Sequence, residues 1–376
     1  MKRKITISSI ISLILLICVF TINRYHNNPV MGGKDSEIIS VPADFENVLS
    51  YKGLIDDSFI YLSVNEGAAT YYRHYINDNK IITLGTIDNF LLSTKNTVLI
   101  DNVLYFYASV IESDTEDTSN ILFGIDLSRN KMNTYKNDDE ALAGILTYQF
   151  DEDIITLKNI VDDGIVTTYL DVFDINSKSW RQENINVVNQ ETHEGSAIFG
   201  LYGNKESVYV LHDDWSGGKG NIKTTLKVYD TEMNEVQTVN LDNDLRDYIL
   251  SSRIQEIAIF GEYIYIYNTS NNGLLGKIVE NNIEPIIKER NLELSMNQTS
   301  TNNPLFYVRR SNKCYLLDEE TGNIDTLNLK IGNGYYIRCI LTDEVNVLLV
   351  CSSEDKNDYM YYFKKDILGN ISIPCE

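Results

Sequence analysis

Four histidines, five cysteines and a surplus of carboxylates make up the reactive inventory of this 376-residue chain. One stretch combines several of them: His212-Asp213-Asp214-Trp215 runs into Ser216-Gly217-Gly218-Lys219-Gly220. A histidine, two carboxylates and an indole beside a flexible glycine run suit a ligand-binding loop, with Trp215 stacking on a sugar ring or a peptide side chain. The competing reading is a hairpin whose indole covers a neighbouring element. Asp242, Asp244 and Asp247, with Asn243, set hard oxygens close together and are candidate ligands for a structural calcium. The EF-hand pattern is incomplete there, because its sixth position calls for Gly and is Asp247.

Other chemistries find weaker footing. Glycoside hydrolysis needs two carboxylates flanking one bond. Asp114, Glu116, Asp117, Asp162, Asp163, Asp213 and Asp214 are the candidates, but among 54 acidic residues such neighbours arise by chance. A serine nucleophile needs a base within reach and an oxyanion hole. No GxSxG elbow is present, and Ser216 before two glycines is a poor substitute. The serine–aspartate–glycine–tryptophan order of a sialidase Asp-box is also missing. Of the histidines, His74 reads as a packed strand residue, His193 lies in a polar connection with Glu191 and Glu194, and His26 sits near the N-terminus. Zinc spacing does not occur among the cysteines. Cys314, Cys339 and Cys351 read as buried apolar strand residues, although Cys314, Cys339, Cys351 and Cys375 could form two disulfides in three connectivities.

The N-terminus sets location. Lys2-Arg3-Lys4 precedes a mostly apolar run from Ile5 to Ile22, closed by Arg24, with no acid before Asp35. Eighteen helical residues span about 27 Å, close to a bilayer's hydrocarbon core. An uncleaved signal anchor fits best, with residues 1–4 cytoplasmic, 5–22 spanning the cell membrane once, 23–44 a linker and 45–376 outside. A cleaved signal lacks small residues after the run, and a lipoprotein site at Cys18 would follow the bulky Ile17. The formal charge is −22. The segment from Met1 to Asn28 holds four basic groups (Lys2, Arg3, Lys4 and Arg24) and no acid, so the remainder of the chain carries −26. Such a domain repels nucleic acid and anionic lipid, and attracts cations or basic peptides.

The elements that must carry these groups form a repeat. Each unit opens with a polar turn before a β-rich run, as at Asp56-Asp57 before Phe59–Val64, Asp101-Asn102 before Val103–Tyr107, and Gly261-Glu262 before Tyr263–Tyr267. A second strand and another turn rich in Asp, Asn or Gly follow, then a further short strand such as Ile81–Leu84 or Val236–Val239. Tyr75, Ile125, Phe173, Tyr229, Val279, Leu317 and Phe363 occupy corresponding places, 38 to 56 residues apart. Hairpins of three or four strands at that period predict an all-β fold, a seven-bladed β-propeller, with six or eight blades or a pair of β-sandwiches as alternatives. For ring closure Ile38-Ile39 is too short, with Pro42 close behind; Val48–Tyr51 and Ile371–Ile373 are the better candidates. Short helices or connections are expected at Asp138–Ile145 and Asn243–Arg253.

Turns such as Tyr229-Asp230-Thr231-Glu232 and Leu317-Asp318-Glu319-Glu320-Thr321-Gly322 give the chain a resemblance to bacterial extracytoplasmic β-propeller repeat proteins, covering about residues 45 to 374. The dipeptides of WD40 repeats are absent, and the paired glycines of kelch repeats do not recur from unit to unit. The resemblance implies an architecture and no activity. The expectation is therefore a membrane-anchored binding or scaffold module for a protein, peptide or glycan. The alternatives are an extracellular polysaccharide-acting enzyme using funnel carboxylates, and an accessory sensor of envelope stress or basic peptides.

Overall fold

The computed structural model describes residues 38–41, 48–93, 97–112, 118–136, 147–162, 165–189, 196–214, 223–249, 255–268, 272–297, 303–353, 358–370 and 372–373. The apolar run Ile5–Ile22 and the segment Asp138–Ile145 lie outside them. Among the described residues no helix is long and apolar enough to cross a membrane.

The architecture is all-β. Seven antiparallel sheets follow one another in chain order among the described residues. Sheet one comprises Val48–Ile55, Ser58–Asn65, Ala68–Tyr75 and Lys80–Ile87. Sheet two comprises Phe90–Ser93 with Val98–Ile100, then Val103–Ile111, Thr118–Asp126 and Lys131–Tyr135. Sheet three runs from Tyr148–Phe150 through Asp153–Asp162 and Ile165–Asp174 to Ser179–Asn189. Sheet four has Ser196–Gly203, Val208–Asp214, Lys223–Tyr229 and Glu235–Asn240. Sheet five has Gln255–Phe260, Tyr263–Asn268, Asn272–Val279 and Asn282–Arg290. Sheet six has Leu292–Leu294, Leu305–Val308, Lys313–Leu317 and Ile324–Asn328. Sheet seven has Tyr335–Thr342, Asn346–Ser353 and Asp358–Lys364. Its fourth strand is Ile39–Val41, from the other end of the chain, paired antiparallel with Met360–Tyr362.

That pairing corrects the expectation for closure. Three residues suffice because Val41 is buried among the side chains of sheet seven, and the paired stretch ends before Pro42. Val48–Tyr51 instead opens sheet one, and Ser372–Ile373 pairs in parallel with Lys330–Ile331. Each sheet also begins with a strand ahead of the polar turn that marks its repeat, which the periodicity did not register.

The strands read as continuous apolar runs because both faces are covered. Successive side chains point to opposite faces. Thus Ile60 and Leu62 pack toward sheet two with Tyr71, Phe106 and Phe123, while Phe59 and Tyr61 pack toward sheet seven with Leu348 and Val350. Tyr263, Tyr265 and Tyr267 likewise face Phe306 and Leu317 of sheet six, and Ile264 and Ile266 face Leu211 and Leu226 of sheet four. Further clusters lie between sheets two and three and between three and four. The last cluster joins sheets six, seven and one, so the series of interfaces returns to its start. Cys314, Cys339 and Cys351 are buried in that cluster.

Sheets four and five point the same way. Gly200 and Leu201 pair in parallel with Gln255 and Glu256, and Asn240 pairs with Asn282, so the eight strands of sheets four and five close into a barrel-like ring. Met296 and Asn297 pair in parallel with Leu341 and Thr342. Within each antiparallel meander the first and third turns lie at one end and the second turn at the other. Left-handed φ values at Asp56, Asn79, Asp101, Asn102, Asn130 and Asp151 explain the choice of Asp and Asn in those turns. A carboxylate closes several of them by accepting nearby backbone N–H groups. Asp174 Oδ1 accepts those of Asn176 and Ser177, both at 2.8 Å. Asp126, Asp230, Asp318 and Asp343 make equivalent pairs.

Candidate functional site

Three of the residues that sequence reasoning singled out lie together at the end of one strand of sheet four. His212, Asp213 and Asp214 finish the second strand, opposite Thr225, Thr224 and Lys223 of the third. Alternation along the strand sends Asp213 to one face and its two neighbours to the other. Asp213 is 3 % exposed. Its carboxylate accepts the Thr224 hydroxyl and lies 3.5 Å from a guanidinium nitrogen of Arg246. His212 Nδ1 shares a hydrogen bond of 3.0 Å with Thr225 Oγ1. Burial first, and Lys227 nearby, draw its imidazole below the usual histidine value against the pull of Asp214 and Asp213. Lys227 itself holds Glu235 at 2.9 Å. Trp215, with the rest of 215–222, lies outside the described residues, as do Asp114, Glu116, Asp117 and Asp163.

Arg246 comes from α1, a helix over Asn243–Ile249, where a short helix or connection was expected. Leu245 and Ile249 bury its apolar side. Asp242 Oδ1 accepts the Leu245 N–H at 2.7 Å. That bond makes Asp242 the N-cap that starts the helix. Asp247 lies 3.6 Å from Arg246. Asp242, Asp244 and Asp247 are all exposed, and among the described residues no three His, Cys, Asp or Glu side chains gather to hold a metal ion. The structure thus joins the two groups picked from the sequence through the Arg246–Asp213 pair: one carboxylate caps the helix, and the helix presents its arginine to the strand.

A second polar group escaped the sequence reading. Lys52, 2 % exposed, places Nζ 3.2 Å from Ser93 Oγ, across from sheet one to sheet two. The Tyr71 hydroxyl donates to the same oxygen at 3.1 Å. Burial draws the lysine amine down to about 7. The one signal in the sequence is a lysine set within the otherwise apolar strand Tyr51–Ile55; its partner, 41 residues away, carries none. Elsewhere, a cleft of about 130 Å³ opens between Arg181 and Glu183 of sheet three and Thr231–Met233 of sheet four. It is smaller than the roughly 300–1,000 Å³ of small-molecule sites.

No family model matches the chain, and no curated protein matches it. Among solved structures it is similar to an acylaminoacyl peptidase in complex with a Z-Gly-Gly-Phe chloromethyl ketone, at 11 % identity and a TM-score of 0.43 over 70 % of this chain and 43 % of that one. It is similar to the Pyrococcus horikoshii acylaminoacyl peptidase at 11 % identity and 0.44, over 72 % and 44 % of the two chains. The computationally designed Ika8 protein gives 12 % identity and 0.40, over 88 % and 98 %. The chain spans less than half the length of the two peptidase chains. At these scores neither fold nor activity carries over from them.

Proposed function

We propose that the chain is an extracytoplasmic seven-bladed β-propeller, held to the cell membrane by Ile5–Ile22, that serves as a binding or scaffold module for a protein, peptide or glycan. The observation that carries this reading is the return of the sheet series to its beginning: Ile39–Val41 completes sheet seven, and one apolar cluster spans sheets six, seven and one. Packing meanders radially in this way buries both faces of every sheet and leaves short edges. The barrel-like ring of sheets four and five is then two adjacent blades touching at their first and last strands. Such a body is a rigid platform, and the loops at its ends are where binding gathers. His212 and Asp214 lie at one such end, on either side of Asp213, which Arg246 and Thr224 hold from within. Trp215 directly follows in sequence and is the proposed stacking contact.

The anchor follows from sequence, with Lys2, Arg3 and Lys4 holding the N-terminus inside. Only positions 23–38 separate the apolar run from Ile39, so the closing strand is the first element after the tether. Protease added to intact cells should degrade residues 45–376 while an N-terminal tag stays protected; a protected domain would overturn the anchor. Binding is read with the full-length chain against cell-wall glycan fragments and cationic peptides. Capture that Trp215→Ala weakens supports the loop, and equal capture by the variant rejects it. Capture of a cationic peptide that salt does not weaken rules out acidity as the attraction.

A further inference from the structure

The third turns of sheets one to six each hold a residue at a left-handed φ: Asn79, Asn130, Lys178, Met233, Glu280 and Gly322. Asn and Gly take up that backbone readily, and a polar side chain there can stay in water. Met233, at φ 63°, is the one apolar side chain of the series. Asp230 fixes the turn around it. Its carbonyl accepts the Met233 N–H at 3.0 Å, and its Oδ1 accepts those of Glu232 and Asn234 at 3.0 and 2.9 Å. The Met233 side chain is half-buried and packs on the cluster that holds Phe150, Leu170 and Val172 of sheet three. A thioether at such a place fills an irregular gap and yields to a partner.

The facing wall is the outer strand of sheet three. Arg181 pairs with Val172 and Glu183 with Leu170, so these four side chains share one face. Between that wall and Thr231–Met233 lies the cleft of about 130 Å³, floored by the buried Phe150, Leu170 and Val172. Its size suits one side chain rather than a whole small molecule. Arg181 is already engaged, with Nη1 2.9 Å from Asp153 Oδ2 and Nε 4.0 Å from Glu183 Oε1. Across the cleft, exposed Glu232 meets an Asn234 amide at 3.5 Å and, among the described residues, no cation. Along 172–183 and 229–234, Lys178 and Arg181 stand against Asp174, Glu183, Asp230 and Glu232. With Arg181 taken up by Asp153, the rim is left negative.

We infer that this cleft captures a lysine side chain of a basic partner polypeptide. Lysine lays its four-carbon stem along apolar surface and keeps its ammonium at the wet edge. Here the stem lies over Phe150, Leu170 and Val172 against Met233, and the ammonium meets Glu183 and Glu232. An acidic side chain would meet two carboxylates, and an apolar one would leave the rim unused. The chain's formal charge of −22 draws basic segments toward the surface. The cleft belongs to the third turn of sheet four and Asp214 to the second, so the two lie at opposite ends of that sheet. The site therefore goes beyond the Trp215 reading and rests on neither it nor the anchor.

The test uses the full-length chain in detergent, with methyl-labelled methionine. Six methionines make a sparse methyl spectrum. The signal missing from Met233→Asn is that of Met233, and the change gives this turn the residue type of Asn79 and Asn130. The probe is a blocked Ser-Ser-Lys-Ser-Ser peptide. It should shift the Met233 signal saturably, with a Kd in the millimolar range that suits one side chain. Norleucine in place of the lysine keeps the stem without the charge, and diaminopropionate keeps the charge on a shorter stem. Each should bind about fivefold more weakly or worse. Glu183→Gln combined with Glu232→Gln, both exposed positions, should weaken the lysine peptide about tenfold through loss of two partly exposed ion pairs. A Met233 signal that the lysine peptide leaves in place overturns the inference. Equal binding of the norleucine peptide would make the occupant apolar and overturn it too. Equal binding of the diaminopropionate peptide, or of the lysine peptide by the double glutamine variant, would reduce the attraction to general acidity and overturn the cleft.

Discussion

The Tyr51 hydroxyl donates to Asp358 Oδ2 at 3.0 Å and so ties together residues 307 positions apart. Arg338 donates to the same carboxylate and, at 3.3 Å, to the Val48 carbonyl, and its guanidinium lies 5.7 Å from the Tyr51 ring centre. The Ser352 hydroxyl donates to the other carboxylate oxygen at 2.5 Å. Sheets one and seven thus share one charge-assisted network in addition to their apolar contact. Hydrogen bonds to a charged group contribute about 1.5–3 kcal/mol. Tyr51→Phe, which keeps the ring, should cost about 1–2 kcal/mol in urea unfolding, and Asp358→Ala should cost more because Arg338 loses its counter-charge. Since the two residues touch, the double variant should be less destabilised than the sum by about 0.5 kcal/mol or more. Strict additivity would show that the contact carries no energy of its own.

The closing strand gives a second expectation. Val41 is 3 % exposed and packs in the cluster of sheets six, seven and one. Val41→Asp would bury a carboxylate among apolar groups, a cost of several kcal/mol that the strand avoids by leaving its place. Hydrogen exchange should then speed up at Met360–Tyr362, the residues it covers, while sheets three to five keep their protection. Unchanged exchange at those three residues would remove Ile39–Val41 from its assigned role.

The fold was legible where local chemistry and periodicity agree. Phe59–Leu62 and Tyr263–Tyr267 alternate between two buried faces, and Asp174, Asp230 and Asp318 mark turns that their own carboxylates close. The first strands of sheets one, two and seven were harder to see, because bulges at Leu49, Lys52, Leu91 and Arg338 break the period of two. Ile38-Ile39 reads as too short to close the ring, since nothing local reveals that a distant edge awaits Ile39–Val41. The site followed the same rule. Asp242 looked like a metal ligand because a helix cap and a calcium loop favour the same residue types, and only the three-dimensional partner, the Leu245 N–H, separates them. Lys52 and Ser93 are brought together by two bulges in different sheets, which no spacing rule encodes.

Those carboxylate turns make a pH prediction. Asp174 is held below its ordinary value chiefly by the Ser177 N–H, Asp230 by the Asn234 N–H, and Asp318 by the Thr321 hydroxyl and N–H. A carboxyl depressed in the folded state adds stability that is present above its unfolded value of about 3.9 and is lost as pH falls through the folded value. Replacing all three by Asn keeps an oxygen acceptor and removes the titration. The triple variant should therefore lose less thermal stability than the wild type between pH 5 and pH 2. An identical acid profile would place the stabilising groups elsewhere.

Gly273 sits at a close approach of sheets five and six. It lies in Asn272–Val279, and a Cβ there would stand 2.6 Å from the Leu292 carbonyl oxygen and 2.7 Å from Leu292 Cβ. Leu292 cannot yield easily: it is fully buried, its strand pairs with Leu305–Val308, and its carbonyl accepts the buried Tyr265 hydroxyl at 2.7 Å. Two effects oppose each other in Gly273→Ala. Loss of unfolded-chain freedom stabilises by about 0.4–1 kcal/mol. Overpacking against backbone costs about 1–3 kcal/mol. The second should win, lowering the urea midpoint and loosening the Tyr265 hydrogen bond. An alanine that leaves the midpoint unchanged or raises it would mean the two sheets stand farther apart than described.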